Sequence, residues 1–389
     1  MAQKRIVVGL DIGTSKVCAT VCETTPDGTA DILGVGTAFS RGAVRKGEIV
    51  DFAIATECIK QAVTDAEDKS RKKIESVFLS ATGSHISGFD NQGGVNLPED
   101  RDAIIVSDCE DVFLSARDVD IPPKHAFLNS VLQQYSVDDQ NGILTPVGMT
   151  GRRLEADIHI IHGIGSRIRD TVHYVKELGL KVEDVVFGGL AAAQVMVTPH
   201  QKEMGALVLD IGGGTTDFVL YRDDAIHGSG VFSIGGDHIT QALSKIFHIS
   251  MAQAEQLKIE EGSALREENG LPREIPLLPQ GPFMGGTVDR KVLSKTIHLR
   301  MKETFELIGQ SLSKEHDLSV LGAGIFITGG TSKLRGLGQL AEGIFDLPAY
   351  VAPWPQGFLG SSWPENPCFS VALGLIKYAQ AVNPSPLMR

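Results

Sequence analysis

Two aspartates, Asp11 and Asp210, each close an apolar run and open a turn of glycine and hydroxyl residues. The first turn reads Asp11-Ile12-Gly13-Thr14-Ser15-Lys16, the second Asp210-Ile211-Gly212-Gly213-Gly214-Thr215-Thr216-Asp217. Glycine lets backbone N–H groups approach an anion with no Cβ in the way, so both turns suit phosphate oxygens. The hydroxyls of Thr14, Ser15, Thr215 and Thr216 can donate to the same oxygens. Asp11 and Asp210, at the ends of buried strands, can hold a magnesium ion through its waters. One such turn alone is also what an ordinary hairpin looks like. A matched pair, 199 positions apart, points instead to a nucleotide gripped from two sides.

Other phosphate signatures fail on spacing: there is no GxxxxGK[ST], and no GxGxxG joins a strand to a helix. A third glycine element, Gly329-Gly330-Thr331-Ser332, follows an apolar strand and suits the ribose and α-phosphate end of a nucleotide, although a plain strand–helix loop has the same look. Gly235-Gly236-Asp237 precedes a helix, where Asp237 is also a natural N-cap. Glu255 and Lys258, three apart on a helix that Ser250 would cap, read from spacing as a surface ion pair. Arg290, Lys291, Lys295, Arg300 and Lys302 crowd one helix above a core stripe of Leu293, Ile297, Met301, Phe305 and Ile308. That basic face is either simply solvated or a dock for an acidic peptide. His159, His162 and His173 have neither metal spacing nor triad context and are expected to be structural.

The elements that must position these residues follow from periodicity. Arg5 to Leu10 and Lys16 to Glu23 are strands joined by the first turn, with Val17, Ala19 and Val21 on one side. Asp51 to Lys69 is an amphipathic helix and Ser76 to Ser80 a strand. From Thr82 to about His162 the texture changes to short strands with one helix, Ser107 to Val119, as in an inserted α+β module. Arg167 to Leu178 (helix), Val182 to Phe187 (strand) and Leu190 to Val197 (Ala-rich crossover helix) lead back to the opening pattern at Leu207. The second copy carries its own insertion from Gln241 to Gly286, with Gly- and Pro-rich loops at 270–286, then long helices at Asp289 to Ser313, Ser332 to Phe345 and Phe369 to Val382. Two copies of one supersecondary unit imply two similar lobes.

With 389 residues, 42% of them apolar, the chain suits two to three domains. A net charge of −12 makes the protein as a whole repel nucleic acid and anionic lipid, so no nucleic-acid partner is expected. The five cysteines show no CxxC and no zinc spacing, as for buried reduced thiols. No signal peptide opens the chain, and Phe187 to Val197 is too short to span a bilayer.

Taken in order, Gly9 to Lys16, Pro146-Val147-Gly148-Met149-Thr150-Gly151-Arg152-Arg153-Leu154-Glu155, Leu209 to Asp217, Gly235 to Thr240, Ala254 to Lys258 and Thr328-Gly329-Gly330 resemble the FtsA family of bacterial cell-division proteins, which are actin homologues. The resemblance runs from about residue 5 to 382, and the 146–155 stretch is its specific part, having no nucleotide role. It implies an α/β, actin-like (ribonuclease H-like) fold of two lobes with duplicated mixed sheets and an inserted α+β subdomain. Subdomain IA would comprise 1–83 with 163–196 and 367–389, IC 84–162, IIA 197–232 with 301–366, and IIB 233–300. It further implies ATP with magnesium between the lobes, contacted by Asp11, Gly13, Thr14, Ser15, Lys16, Gly212, Gly213, Gly214, Thr215, Thr216, Gly235, Gly236, Gly329, Gly330 and Thr331. Glu255 and Lys258 would lie on the adenosine side. Asp210 would position magnesium and water for an at most slow hydrolysis. The acidic carboxy-terminal tail of the tubulin-like protein FtsZ would dock at Arg300, with Arg290 the weaker candidate.

The resemblance also implies head-to-tail filaments through IC and IIA/IIB, other division proteins bound through IC, and a cytoplasmic location, peripheral on the inner face of the plasma membrane at the division site. Two departures stand out. The crossover Phe187-Gly188-Gly189-Leu190 lacks the family's usual proline, and residues 383–389 cannot make an amphipathic anchor, so a truncated membrane helix is expected. Rival readings are a small-molecule kinase of the same superfamily, for which no acidic base facing an acceptor pocket is evident, and a pilus-assembly scaffold with a similar insertion. A chaperone is disfavoured because no substrate-binding domain follows the second lobe.

Overall fold

Strands alternating apolar residues on both faces need cover on both sides, and the computed structural model supplies it with two sheets and their helices. It describes residues 4–25, 28–98, 103–266, 273–279, 285–351, 358–359 and 366–382. The expected tail at 383–389 and parts of the 270–286 loops lie outside the described residues.

The first sheet runs, in spatial order, Lys181–Phe187, Ser76–Ala81, Arg5–Ile12, Lys16–Thr24 and Ala30–Phe39, with the short Phe358–Leu359 strand at its edge. The second begins Ala349–Val351, Gly324–Thr328, Ala206–Ile211, Thr216–Arg222 and Ala225–Phe232. Through these first five strands both sheets follow the same pairing sequence: two parallel ladders, then two antiparallel ones. The duplication seen in the two turns therefore extends through whole sheets. In each copy the aspartate-bearing strand is central, parallel to one neighbour and hairpinned to the other.

Helices Gly188–Met196 and Ser370–Val382 fill the space between the two sheets, in one core that joins Cys18 and Cys22 of the first lobe to Val208, Val219 and Tyr221 of the second. They pack backbone to backbone. A Cβ on Gly374 would stand 1.8 Å from the Ala191 carbonyl oxygen, so only glycine permits this approach. Helices Phe52–Ser70 and Gly165–Glu177 cover the outer face of the first sheet, and Gly236–Phe247, Met251–Glu261, Arg290–Leu312 and Leu337–Phe345 that of the second. Val17, Ala19 and Val21 face that outer core while Cys18 and Cys22 face the inner one, as the alternation requires.

The inserted module departs from a simple appendage of the first lobe. Its strands Ser87–Asn96, Arg153–Ile164, His125–Val137 and Gln140–Ile143 continue the second sheet, which reaches nine strands. The seam is one paired position, Gly230 with Ser87. Helix Val106–Arg117 covers one face of these strands. The 146–155 stretch is tied down locally: Gly148 N donates to Ile104 O at 2.9 Å, and Asp138 Oδ1 accepts from the amides of Arg152 and Arg153, both at 2.9 Å.

Two expected helices differ. Instead of one helix from Ser332 to Phe345 there is a 3-10 turn, Gly330–Lys333, then the α-helix Leu337–Phe345. Gly336, at φ 73°, breaks the run between them. The cap of helix Gly236–Phe247 is Gly235 and not Asp237, whose amide instead donates to Gly213 O at 2.8 Å. Among the described residues, no helix is long and apolar enough to cross a membrane.

Candidate nucleotide site

The two turns close in the same way. Gly13 N donates to Lys16 O at 2.9 Å, and Gly212 N donates to Thr215 O at 2.9 Å. They also meet: a Cβ on Gly213 would lie 3.5 Å from Ser15 Cβ, and one on Gly214 only 2.8 Å from Thr14 Oγ1. Neighbouring segments hold the first turn in shape, with Ser40 Oγ donating to Gly13 O at 2.7 Å and Gly47 N to Thr14 Oγ1 at 3.1 Å. The amides of Thr14, Ser15, Gly213 and Gly214 donate to no protein acceptor among the described residues. Unpaired donors on two adjoining loops are the kind of group that binds an anion, and the missing side chains are what lets the loops approach this closely.

Behind the turns sit the carboxylates. Asp11 is half-buried, and desolvation pushes its carboxyl up, while Ser80 Oγ, donating to Oδ1 at 2.7 Å, and Lys16 pull it back. Burial, reinforced by the negative charge of Asp11 and opposed by Lys16, raises Asp210 to about 7. Uncompensated carboxylates out of water favour either a proton or a cation. Carboxylate oxygens of this kind are what a hydrated divalent cation takes as outer ligands, and Lys16 is the nearby positive charge that acts on both groups. Lys16 is held over the Phe369 ring, 4.7 Å from the centroid, by a 2.6 Å hydrogen bond from Nζ to Cys368 O.

The remaining glycine elements are drawn onto the second turn. Thr331 Oγ1 donates to Gly212 O at 2.8 Å, and Gly236 N donates to the same oxygen at 3.0 Å. Gly329, at φ 85°, passes so close to Asp210 that a Cβ there would meet Oδ1 at 2.3 Å. Gly330 faces Cys368. Thr216 Oγ1 turns away from the turn to Ile234 O at 2.8 Å, so this hydroxyl braces the strand end. Lys258 corrects the surface-pair reading. It is buried, with Nζ 2.6 Å from Glu255 Oε2, 2.9 Å from Thr240 Oγ1 and 3.2 Å from Gly236 O. The pair thus stands at the amino end of helix Gly236–Phe247, beside the glycine elements.

Two residues of the basic helix occupy different settings. Arg290 is mostly buried and paired with Glu261 at the end of the preceding helix. Arg300 is exposed and paired with Glu303, three residues on, at 2.8 Å. Neither belongs to the phosphate turns.

Sequence reading missed two constellations. Asp217, the last residue of the second motif, is buried across the hairpin from Asp210 and accepts a 2.6 Å hydrogen bond from Thr82 Oγ1 of the other lobe. Burial and the charge of Asp210 push its carboxyl well above the ordinary range. His159 has a triad-like context after all: Nδ1 lies 2.6 Å from Asp90 Oδ1 and Nε2 2.8 Å from Ser229 Oγ. Both His159 and Ser229 are buried, with the Gly88 backbone against them, so the trio seals the module to the second lobe and exposes no nucleophile. Its members lie about 70 positions apart, which leaves no local signal.

Comparison with known proteins agrees with this architecture. The family model described as Cell division protein FtsA matches residues 207–374, and that described as SHS2 domain inserted in FTSA matches residues 83–162. The chain is 36% identical over 379 residues to Cell division protein FtsA of Neisseria meningitidis serogroup B, covering 97% of this chain and 91% of that one. Against the Pseudomonas aeruginosa protein of the same name the identity is 34%, covering 96% and 89%, and against that of Escherichia coli K12 it is 32%, covering 97% and 91%. Among solved structures it is similar to the PilM-PilN type IV pilus biogenesis complex (TM-score 0.64, 18% identity, 96% and 98% covered). It is also similar to MreB5 of Spiroplasma citri bound to ADP (TM-score 0.60, 15% identity, 97% of each chain covered). The fold is thus actin-like.

Proposed function

Because the chain belongs to the FtsA family of cell-division proteins, we propose that it is a nucleotide-gated adaptor that ties the FtsZ ring to the inner face of the cytoplasmic membrane. In this reading ATP with magnesium binds between the lobes, copies of the chain associate into filaments, and the inserted module recruits other division proteins. The observation that supports the nucleotide part is the pair of matched turns, in contact at Gly213 with Ser15 and Gly214 with Thr14, each following a strand that carries Asp11 or Asp210 near its end.

The turns Gly13 to Lys16 and Gly212 to Thr215 would hold the phosphates. Asp11 and Asp210 would hold magnesium through water, and the metal's charge would neutralise the phosphates. Gly235, Gly236, Thr331, Gly329 and Gly330 would line the α-phosphate and ribose, with Lys258 and Glu255 beside the adenosine. Because the two turns belong to different lobes, the nucleotide gains both sets of contacts only when the lobes are together. That gives it a higher affinity for the closed arrangement. Filament contacts reading the lobe arrangement would then respond to nucleotide. Arg300, exposed on the outer helix, is the site for the acidic FtsZ tail. Arg290 plays a supporting part, because it is already engaged with Glu261.

Titration of ATP with magnesium into the protein and into Asp210→Ala tests the reading. The variant is expected to bind at least about tenfold more weakly, the scale of one lost charged contact. Equal affinity for the two proteins would remove the site.

A further inference from the structure

Thr82 is the last residue before the inserted module, and its side chain is fixed on both sides. Its methyl packs on Gly47, where a Cβ would come within 2.7 Å of Thr82 Cγ2. Its hydroxyl donates across the lobe boundary to Asp217 Oδ1 at 2.6 Å. Gly47 N in turn donates to Thr14 Oγ1 of the first turn. On the other side, Asp217 lies directly across the hairpin from Asp210 and two residues beyond Thr215, which closes the second turn. The carboxyl also packs closely on Gly188, where a Cβ would stand 2.9 Å from Asp217 Oδ2. A continuous chain of contacts therefore runs Thr14, Gly47, Thr82, Asp217, Thr215, linking the two phosphate turns through the root of the module.

We infer that Thr82 and Asp217 are positioning residues, whose hydrogen bond sets the second phosphate turn against the first and ties the arrangement of the turns to the inserted module. The inference rests on the nucleotide reading of the turns. Neither side chain need touch the ligand. Both act through the turns they brace, and the module senses the result because Thr82 leads directly into its first strand, Ser87–Asn96. The acceptor, Asp217, is buried, so losing the hydrogen bond leaves it short of a partner and frees the second turn to shift.

The test uses the whole chain, with ATP–magnesium affinity measured for wild type, Thr82→Val, Thr82→Ser and Asp210→Ala, and hydrogen exchange of Ser87–Asn96 followed with and without nucleotide. Valine keeps the shape and the methyl contact but removes the donor. It is expected to weaken binding about tenfold, the size of one hydrogen bond to a carboxyl group. It should also abolish the nucleotide-dependent change in exchange, with an unaltered melting temperature. Serine restores the donor and should restore both readouts. If Thr82→Val does not fold, Thr82→Ala, which removes the donor without added bulk, takes its place. If wild type binds and Asp210→Ala does not, yet Thr82→Val binds like wild type and keeps the exchange response, the inference falls and the nucleotide site stands. If wild type itself binds no nucleotide, both fall.

Discussion

Asp210 gives the site its pH dependence. Its carboxyl is raised from an ordinary value of 3.8 to about 7, with burial the larger cause and the charge of Asp11 the second. Between those values the folded protein holds a proton that the unfolded chain has released. The associated stability is therefore complete below about pH 4 and is lost as pH rises through about 7. Asp11 and Asp217, also raised, act in the same direction. Nucleotide-free protein should lose denaturant resistance between about pH 5 and pH 8, by up to a few kcal/mol from Asp210, and Asp210→Asn should flatten that slope. Urea melts of both proteins at the two pH values check it, and parallel slopes would show that Asp210 is ionised throughout. Magnesium–nucleotide affinity should run the opposite way, rising over the same interval, because the metal needs the ionised form. The two motif aspartates could be read from sequence because each sits in a recognisable turn. Asp217 stood in the same motif, but its role depends on Thr82, 135 positions away, and no local pattern encodes that meeting.

Among the elements, duplication of the sheets was legible because strand period and turn chemistry agree in both copies. The helix boundaries moved by a residue or two, as capping geometry rather than periodicity decides them. The larger miss, around Gly336, came from an apolar run that continues in helical phase across a glycine with positive φ. The crossover helix packs backbone to backbone on Ser370–Val382, Gly374 lying against Ala191. Gly374→Ala is a sharp check at this scale. Alanine is the better helix former by about 1 kcal/mol, yet its methyl would overlap the Ala191 carbonyl. The variant should lose about 2 to 4 kcal/mol of stability. Chemical denaturation measures it, and a stabilised variant would mean that the two helices separate freely. Continuity between the module's sheet and the second lobe was not legible, because a seam of one residue pair leaves no trace in periodicity.

For the molecule as a whole, the proposed function and the fold draw on different residues of the basic helix. Arg300→Glu should weaken binding of an acidic FtsZ tail peptide by about tenfold or more, with a shallower salt dependence, while stability stays unchanged. Arg290→Glu should instead lower the melting temperature, since it sets two acidic groups together where Arg290 now pairs with Glu261. Fluorescence anisotropy of a labelled peptide alongside thermal melts distinguishes the two, and a stable Arg290→Glu variant that loses the peptide would reverse the assignment. The nine-strand sheet carries a mechanical consequence of its own. Beyond the Ser87–Gly230 seam, four strands at about 4.8 Å spacing form a lever arm of roughly 19 Å. A twist of about 5° imparted at the hairpins would swing the remote rim, Gln140–Ile143, by about 1.7 Å over that arm.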